Sequence, residues 1–177
     1  MQVRQANCGD IESLKDLFRA AIAWQTRRGV STFGEFTDSF LKGEIERGAV
    51  FLAVNEEAVG GTISLYESDE IIWGDDHDSA LYIHRLASIR TERGRGVGAE
   101  LVNWSRLRAE AMGKKWLRVD CWADNTDLCQ FYLRQGFDVV KVKDTGAHPS
   151  LPPHYHHIQL RLFQMPAAND PAQETVR

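Results

Sequence analysis

Arg93-Gly94-Arg95-Gly96-Val97-Gly98 has the makings of a phosphate cradle. Glycines at 94, 96 and 98 remove the Cβ atoms that would hold backbone amides away from phosphate oxygens, and they tolerate the positive φ a curled loop needs. Arg93 and Arg95 add charge-assisted donors. A helix starting at Val97 would turn its unpaired first-turn N–H groups and positive dipole end on the same anion. A Walker loop would need Lys followed by Ser or Thr after the last glycine, and Ala99-Glu100 stands there instead. A dinucleotide fingerprint is literally satisfied by Gly94, Gly96 and Ala99, with Asp120 in a later strand as a ribose-binding acid. Against it, Arg90-Thr91-Glu92-Arg93 separates the turn from its strand, and the chain does not begin with alternating parallel units. An ordinary glycine turn at a helix start is the remaining alternative.

Two other groups of reactive side chains call for weighing. His148, His154, His156 and His157 cluster near the C-terminus, but no carboxylate or Cys lies close in sequence to complete a ligand set, so no metal is expected. Cys8, Cys121 and Cys129 are odd in number and lack CxxC spacing, which predicts reduced thiols rather than a redox or zinc motif.

The bulk composition narrows the class. With 177 residues, 43% hydrophobic and 26% charged, the chain suits one globular domain, expected over residues 1–164 with a loose tail over 165–177. A net charge of −4 argues against nucleic acid as the main partner. No run is long and apolar enough for a membrane, and Met1 is followed by Gln2-Val3-Arg4-Gln5 rather than a secretory segment, so a cytoplasmic location is expected.

The elements that must position the turn follow from periodicity. Val3 to Ala6 suits a strand, and Asp10 suits the N-cap of a helix carrying Ile11, Leu14, Leu17, Phe18, Ala21 and Ile22. A second helix is expected from Phe36 to Arg47, ending at Gly48. Val50 to Val54 and Val59 to Tyr66 read as a hairpin. Glu67 to Asp78 holds six acidic residues and no Lys or Arg, which predicts a loop with a negative potential attractive to a cation. Leu81 to Ile89 is a strand running into the glycine turn, followed by a helix to Met112, a strand from Trp116 to Trp122, a helix from Asn125 to Gln135 and a strand from Phe137 to Val142. Tyr155 to Phe163 alternates as a last strand.

Arg93, Gly96 and Gly98 match R/Q-x-x-G-x-G/A, and Asn125 followed by Tyr132-Leu133-Arg134-Gln135-Gly136-Phe137 matches Asn then Tyr-x-x-x-Gly-Phe. Together these resemble the coenzyme A signature of the GNAT superfamily of N-acetyltransferases. Leu81 to Ser88 looks like that family's central strand. The resemblance covers roughly half the chain through its motifs, and the first half by element order.

The resemblance implies an α/β (α+β) acyl-CoA acyltransferase fold, a mixed and mostly antiparallel sheet with helices on both faces. It implies acetyl transfer from acetyl-CoA to a primary amine of a small molecule or peptide by direct attack. Backbone groups of Leu86, Ala87 and Ser88 would meet the pantetheine arm. Arg93, Gly94, Arg95, Gly96, Val97, Gly98 and Ala99 would hold the pyrophosphate, and Asn125 would contact the coenzyme. Tyr132 would be the general acid toward the leaving thiolate, set against a plain core aromatic at helical spacing from Leu128. The family does not fix the base; His84 and Asp120 are the candidates, and Asp120 could equally pair with Arg118 or Arg85. A catalytically silent coenzyme A sensor and a dinucleotide-binding protein are the competing functions. A homodimer through the last strand is common in look-alikes.

Overall fold

The structure, a computed structural model, describes residues 1–32, 34–56, 58–74, 78–89, 96–151 and 155–168. Strand Gln2–Gln5 (β1) leads through a 3-10 turn, Cys8–Asp10, into helix Ile11–Arg27 (α1). Asp10 does not cap α1 with its side chain. Its carboxylate is taken instead by Arg4, at 2.6 and 2.8 Å, and by the backbone N–H of Asn7. Asn7 caps the 3-10 turn in a reciprocal capping box.

Helix Asp38–Glu46 (α2) starts two residues later than expected because the Thr37 side chain accepts from Phe40 N. Phe36 is left outside the helix, where it packs edge-on to Phe18 and stacks on Phe40. Strands Val50–Asn55 (β2) and Ala58–Tyr66 (β3) form the expected hairpin. The acidic segment is more than a loop: Glu70–Trp73 (α3) makes one helical turn, since burying Ile72 and Trp73 against Tyr82 draws it onto the sheet.

Strand Ala80–Ser88 (β4), helix Val97–Ala111 (α4) and strand Trp116–Trp122 (β5) follow, then helix Thr126–Arg134 (α5) and strands Asp138–Asp144 (β6) and Gln159–Pro166 (β7). The last strand begins four residues later than its alternation predicts. His157 adopts φ +53, a left-handed turn that an extended run cannot contain, and Thr145 exchanges hydrogen bonds with Ile158 to close the preceding loop. The strand also runs past Gln164, and buried Ala167 donates to Lys115 O, so the chain is still packed where the tail was expected.

The seven strands form one sheet in the order β1-β2-β3-β4-β5-β7-β6, antiparallel except for the parallel β4–β5 pair. Alternation sorts the side chains. Phe51, Ala53, Leu81, Ile83, Val119 and Cys121 face α4 and α5 in one core cluster. On the opposite face Val50, Leu52 and Val54 pack under α1 and α2, while Tyr82, Trp122 and Leu162 pack with Ile72 and Trp73 of α3. Gly61 is required where β3 passes under α4: a Cβ there would lie 2.7 Å from Val97 Cγ1 and 3.0 Å from Ala87 O.

Candidate active site

The parallel pair β4–β5 is paired from Ala80↔Trp116 only as far as Ile83↔Val119. Beyond that point β4 pairs with β3 and β5 pairs with β7, so the two strands part and leave a slit between them. A bulge in β4 makes them part. Thr62 pairs with Ala87 and Ser64 with His84, so Ile63 alone opposes Arg85 and Leu86, and Arg85 takes φ +49. The extra residue also overrides alternation. His84 and Arg85, neighbours in sequence, both face the α1–α2 side, while Leu86 packs into the α4 core and Ala87 returns to the α1–α2 core.

Four elements meet at those two side chains. Tyr66 of β3 sets its ring edge-on to His84, centroids 4.7 Å apart. Asp69, just before α3, places Oδ2 3.3 Å from His84 Nε2. Arg85 and the Tyr66 hydroxyl both donate to the buried carboxylate of Glu44 on α2, which Arg47 also meets. The Arg85 guanidinium lies over Phe40 and Tyr66, 5.2 and 5.3 Å from their ring centroids.

The charges in this cluster are tuned by burial and by one another. Burial pushes the Asp120 carboxyl up to about 6, with Asp69 adding to the rise and His84 opposing it. Burial disfavours the His84 imidazolium, but Asp69, Asp120 and Glu44 together outweigh it and hold His84 above its ordinary value. Burial raises Glu44 against the pull of Arg85 and His84. Among the described residues Arg85 goes to Glu44, and Arg118 lies 3.3 Å from both the Tyr82 hydroxyl and Gln164 Oε1 and 3.8 Å from Asp78 Oδ2. Half-buried His84 and Asp69 are the groups that act on Asp120.

The other side of the slit belongs to α4 and α5. Gly96, with φ +87, is the N-cap of α4 and supplies no side-chain cap; Val97, Gly98 and Ala99 follow in the first turn. Arg93, Gly94 and Arg95 lie outside the described residues. Asn125 caps α5 by accepting from Leu128 N at 3.1 Å, and its buried Nδ2 has no hydrogen-bond partner among the described residues. Tyr132 is buried among Phe131, Phe137 and Phe163. Burial first, then Cys121 and Asp120, raises its hydroxyl well above the ordinary value, so it keeps its proton. Cys121 and Cys129 are buried free thiols beside it, their sulfurs 3.6 Å apart, and Cys8 is exposed.

Asp69 was missed by sequence reasoning. Its one signal was membership of an acidic stretch, which does not say which carboxylate turns inward. The charge of that stretch is also partly spent: Glu67 pairs with Lys114 at 2.7 Å and Asp78 with Lys115 at 3.1 Å. Of the histidine cluster, His156 Nε2 lies 3.1 and 2.9 Å from the carbonyls of His148 and Leu151, tying the loop before β7, and His154 lies outside the described residues.

A slit between parting parallel strands, bordered by a glycine-capped helix on one face and a cluster of ionisable side chains on the other, is the arrangement of an acyltransferase of the coenzyme A type. The Acetyltransferase (GNAT) family matches residues 13–137, and the chain belongs to that family. It is 31% identical over 148 residues to the uncharacterized N-acetyltransferase YesJ of Bacillus subtilis, covering 78% of this chain and 82% of that protein. Among solved structures it resembles a GNAT-family acetyltransferase from Listeria monocytogenes, with a TM-score of 0.71 at 23% identity over 93% of this chain and 94% of that one. It also resembles yncA, a putative acetyltransferase of Salmonella typhimurium solved with acetyl-CoA, with a TM-score of 0.68 at 14% identity over 96% and 95% of the two chains.

The protein is therefore an acetyltransferase using acetyl-CoA, and its α/β fold is the one the resemblance implied. The dinucleotide alternative falls with the topology. Asp120, the supposed ribose acid, alternates with Val119 and Cys121 and so lies on the face away from α4. The residues present suit acetyl-CoA: the glycine-capped start of α4 suits its pyrophosphate, and the orphaned Asn125 Nδ2 is a buried donor in want of an acceptor.

Proposed function

We propose that the chain acetylates a primary amine of a small molecule or peptide by direct attack, with the amine entering from the α1–α2 side of the slit. One observation carries this reading: Asp120 and Cys121, adjacent on β5, face opposite sides of the sheet at the point where β4 leaves it. The Asp120 side has His84 and Asp69 to take a proton. The Cys121 side has the protonated Tyr132 hydroxyl to give a hydrogen bond.

Acetyl-CoA supplies an acyl thioester, which only a neutral amine attacks. An alkylammonium of pKa ~10.4 must first lose a proton, and His84, held above its ordinary value, together with Asp120, raised to about 6, accepts it. As the new C–N bond forms, the electron pair of the C–S bond leaves with sulfur, and the second proton that the nitrogen sheds goes to that thiolate to give the free thiol. Tyr132 donates to that sulfur; a hydroxyl held above its ordinary value is a weak outright acid but a dependable hydrogen-bond donor. Leu86 and Ser88 offer backbone groups along the freed edge of β4, Val97, Gly98 and Ala99 offer first-turn N–H groups, and Asn125 offers Nδ2.

The test is free-thiol release from acetyl-CoA with a panel of cationic small amines and amino-terminal peptides. Turnover with at least one member supports the reading. Acetyl-CoA that stabilises the protein against heat without any thiol release from a broad panel would favour the silent coenzyme sensor instead.

A further inference from the structure

We infer that Asp69 is a positioning residue, which holds the Nε2–H of His84 and thereby presents the opposite ring nitrogen, Nδ1, as the base for the acceptor amine. The inference rests on the acetyltransferase reading above and assigns a role to a residue outside the family's motifs.

Three observations converge on Asp69. Its Oδ2 is buried, lies 3.3 Å from His84 Nε2, and accepts no hydrogen bond of good geometry among the described residues. A buried carboxylate oxygen without a donor is disfavoured, and the imidazole N–H is the donor at hand. The His84 ring is steered to that contact by the edge of Tyr66 at an interplanar angle of 86°. Finally, the α3 turn that carries Asp69 is anchored by buried Ile72 and Trp73, so the carboxylate rides on a packed element.

A neutral imidazole whose Nε2–H points at a carboxylate has its lone pair on Nδ1, and the tautomer is set by that contact. The other charged groups around His84 do not offer the same service. Glu44 on α2 is engaged by Arg85, Arg47 and Tyr66, and Asp120 on β5 acts through space from across the slit. Arg85, the next residue on β4, turns to Glu44. The proton balance closes: the ammonium gives its proton to His84 Nδ1, the imidazolium is stabilised by Asp69 and Asp120, and the proton passes to solvent after transfer.

The experiment reads the ring directly. With His84 assigned by comparison with His84→Gln, nitrogen chemical shifts in the full-length protein report its tautomer and its titration. The Nε2–H form in the unmodified protein is expected, with a titration midpoint that falls in Asp69→Asn; an Nδ1–H form, or a midpoint that does not move, overturns the inference. In kinetics, Asp69→Asn should lower kcat at least tenfold, leave the KM for acetyl-CoA unchanged and shift the acidic limb of kcat/KM to lower pH. A variant that merely melts earlier and turns over normally overturns it as well. Failure of the acetyltransferase reading looks different: no thiol release from the unmodified protein, with the ring still in its Nε2–H form.

Discussion

His84 and Asp120 are the first residues beyond Ile83↔Val119, the last pair that holds β4 and β5 together. Each therefore sits at the mouth of the slit on a strand still anchored on its outer side, one by β3 and the other by β7. Rigid strands hold the two groups, and the gap between them is where the proposed proton transfer would take place.

The half-buried Asp120 carboxylate should make the protein less stable than it could be. Its value is raised from 3.8 to about 6, so the folded state binds this proton more tightly than the unfolded chain does. The associated stability is full below the unfolded value and is lost as pH rises through about 6. Asp120→Asn should thus melt higher than the unmodified protein above pH 6, by on the order of 3 kcal/mol at most, with the gap closing toward pH 4. Thermal denaturation across that range checks it, and a constant or inverted gap refutes it. In the unmodified protein kcat/KM should rise with pH through the same region, since His84 and Asp120 must both shed protons to act as acceptors.

Tyr132→Phe removes a hydroxyl and keeps the ring among Phe131, Phe137 and Phe163. Stabilisation by acetyl-CoA should persist while kcat drops at least tenfold. Unchanged turnover would assign the thiol-side donor elsewhere.

Asn125 combines a cap with a free donor, and two substitutions separate them. Asn125→Asp keeps an oxygen for Leu128 N and loses Nδ2, so the fold should hold while affinity for acetyl-CoA falls. Asn125→Ala should lose the cap as well, at ~1 kcal/mol of stability. Equal coenzyme affinity in the aspartate variant, by calorimetry, would show that Nδ2 has no ligand role.

Gly98 gives the cleaner probe of the anion site. A Cβ there would meet Phe131 Cζ at 3.5 Å, an ordinary contact, so Gly98→Ala should melt like the unmodified protein and bind acetyl-CoA at least tenfold more weakly. Gly96→Ala has open space but would force φ +87 on a residue with a Cβ, so it should also lose roughly 1 kcal/mol of stability. Normal affinity in Gly98→Ala would move the pyrophosphate away from this helix.

Hydrophobic period and glycine punctuation made the order of strands and helices legible, and the spacing of Gly96, Gly98, Asn125, Tyr132 and Gly136 made the family legible. The acceptor side was much less so. Plain alternation through His84-Arg85-Leu86 sends His84 and Arg85 to opposite faces; the bulge that turns both the same way depends on β3 offering one residue where β4 offers two. No glycine marks it, because Arg85 itself adopts the positive φ while its guanidinium is held by Glu44. Asp69 was hidden for a similar reason. That Asp69 turns inward is decided by Ile72 and Trp73 packing against Tyr82 of the next strand, a side-chain contact that the charge of the stretch does not signal.

The burial of Cys121 and Cys129 has a practical corollary for measuring this enzyme. A chromogenic disulfide added to count coenzyme released per cycle will titrate one slow-changing background thiol per chain, that of Cys8, while the native fold lasts. Replacing Cys8 by Ser should silence the blank, and a later rise to two equivalents would then time the loss of native packing around Tyr132.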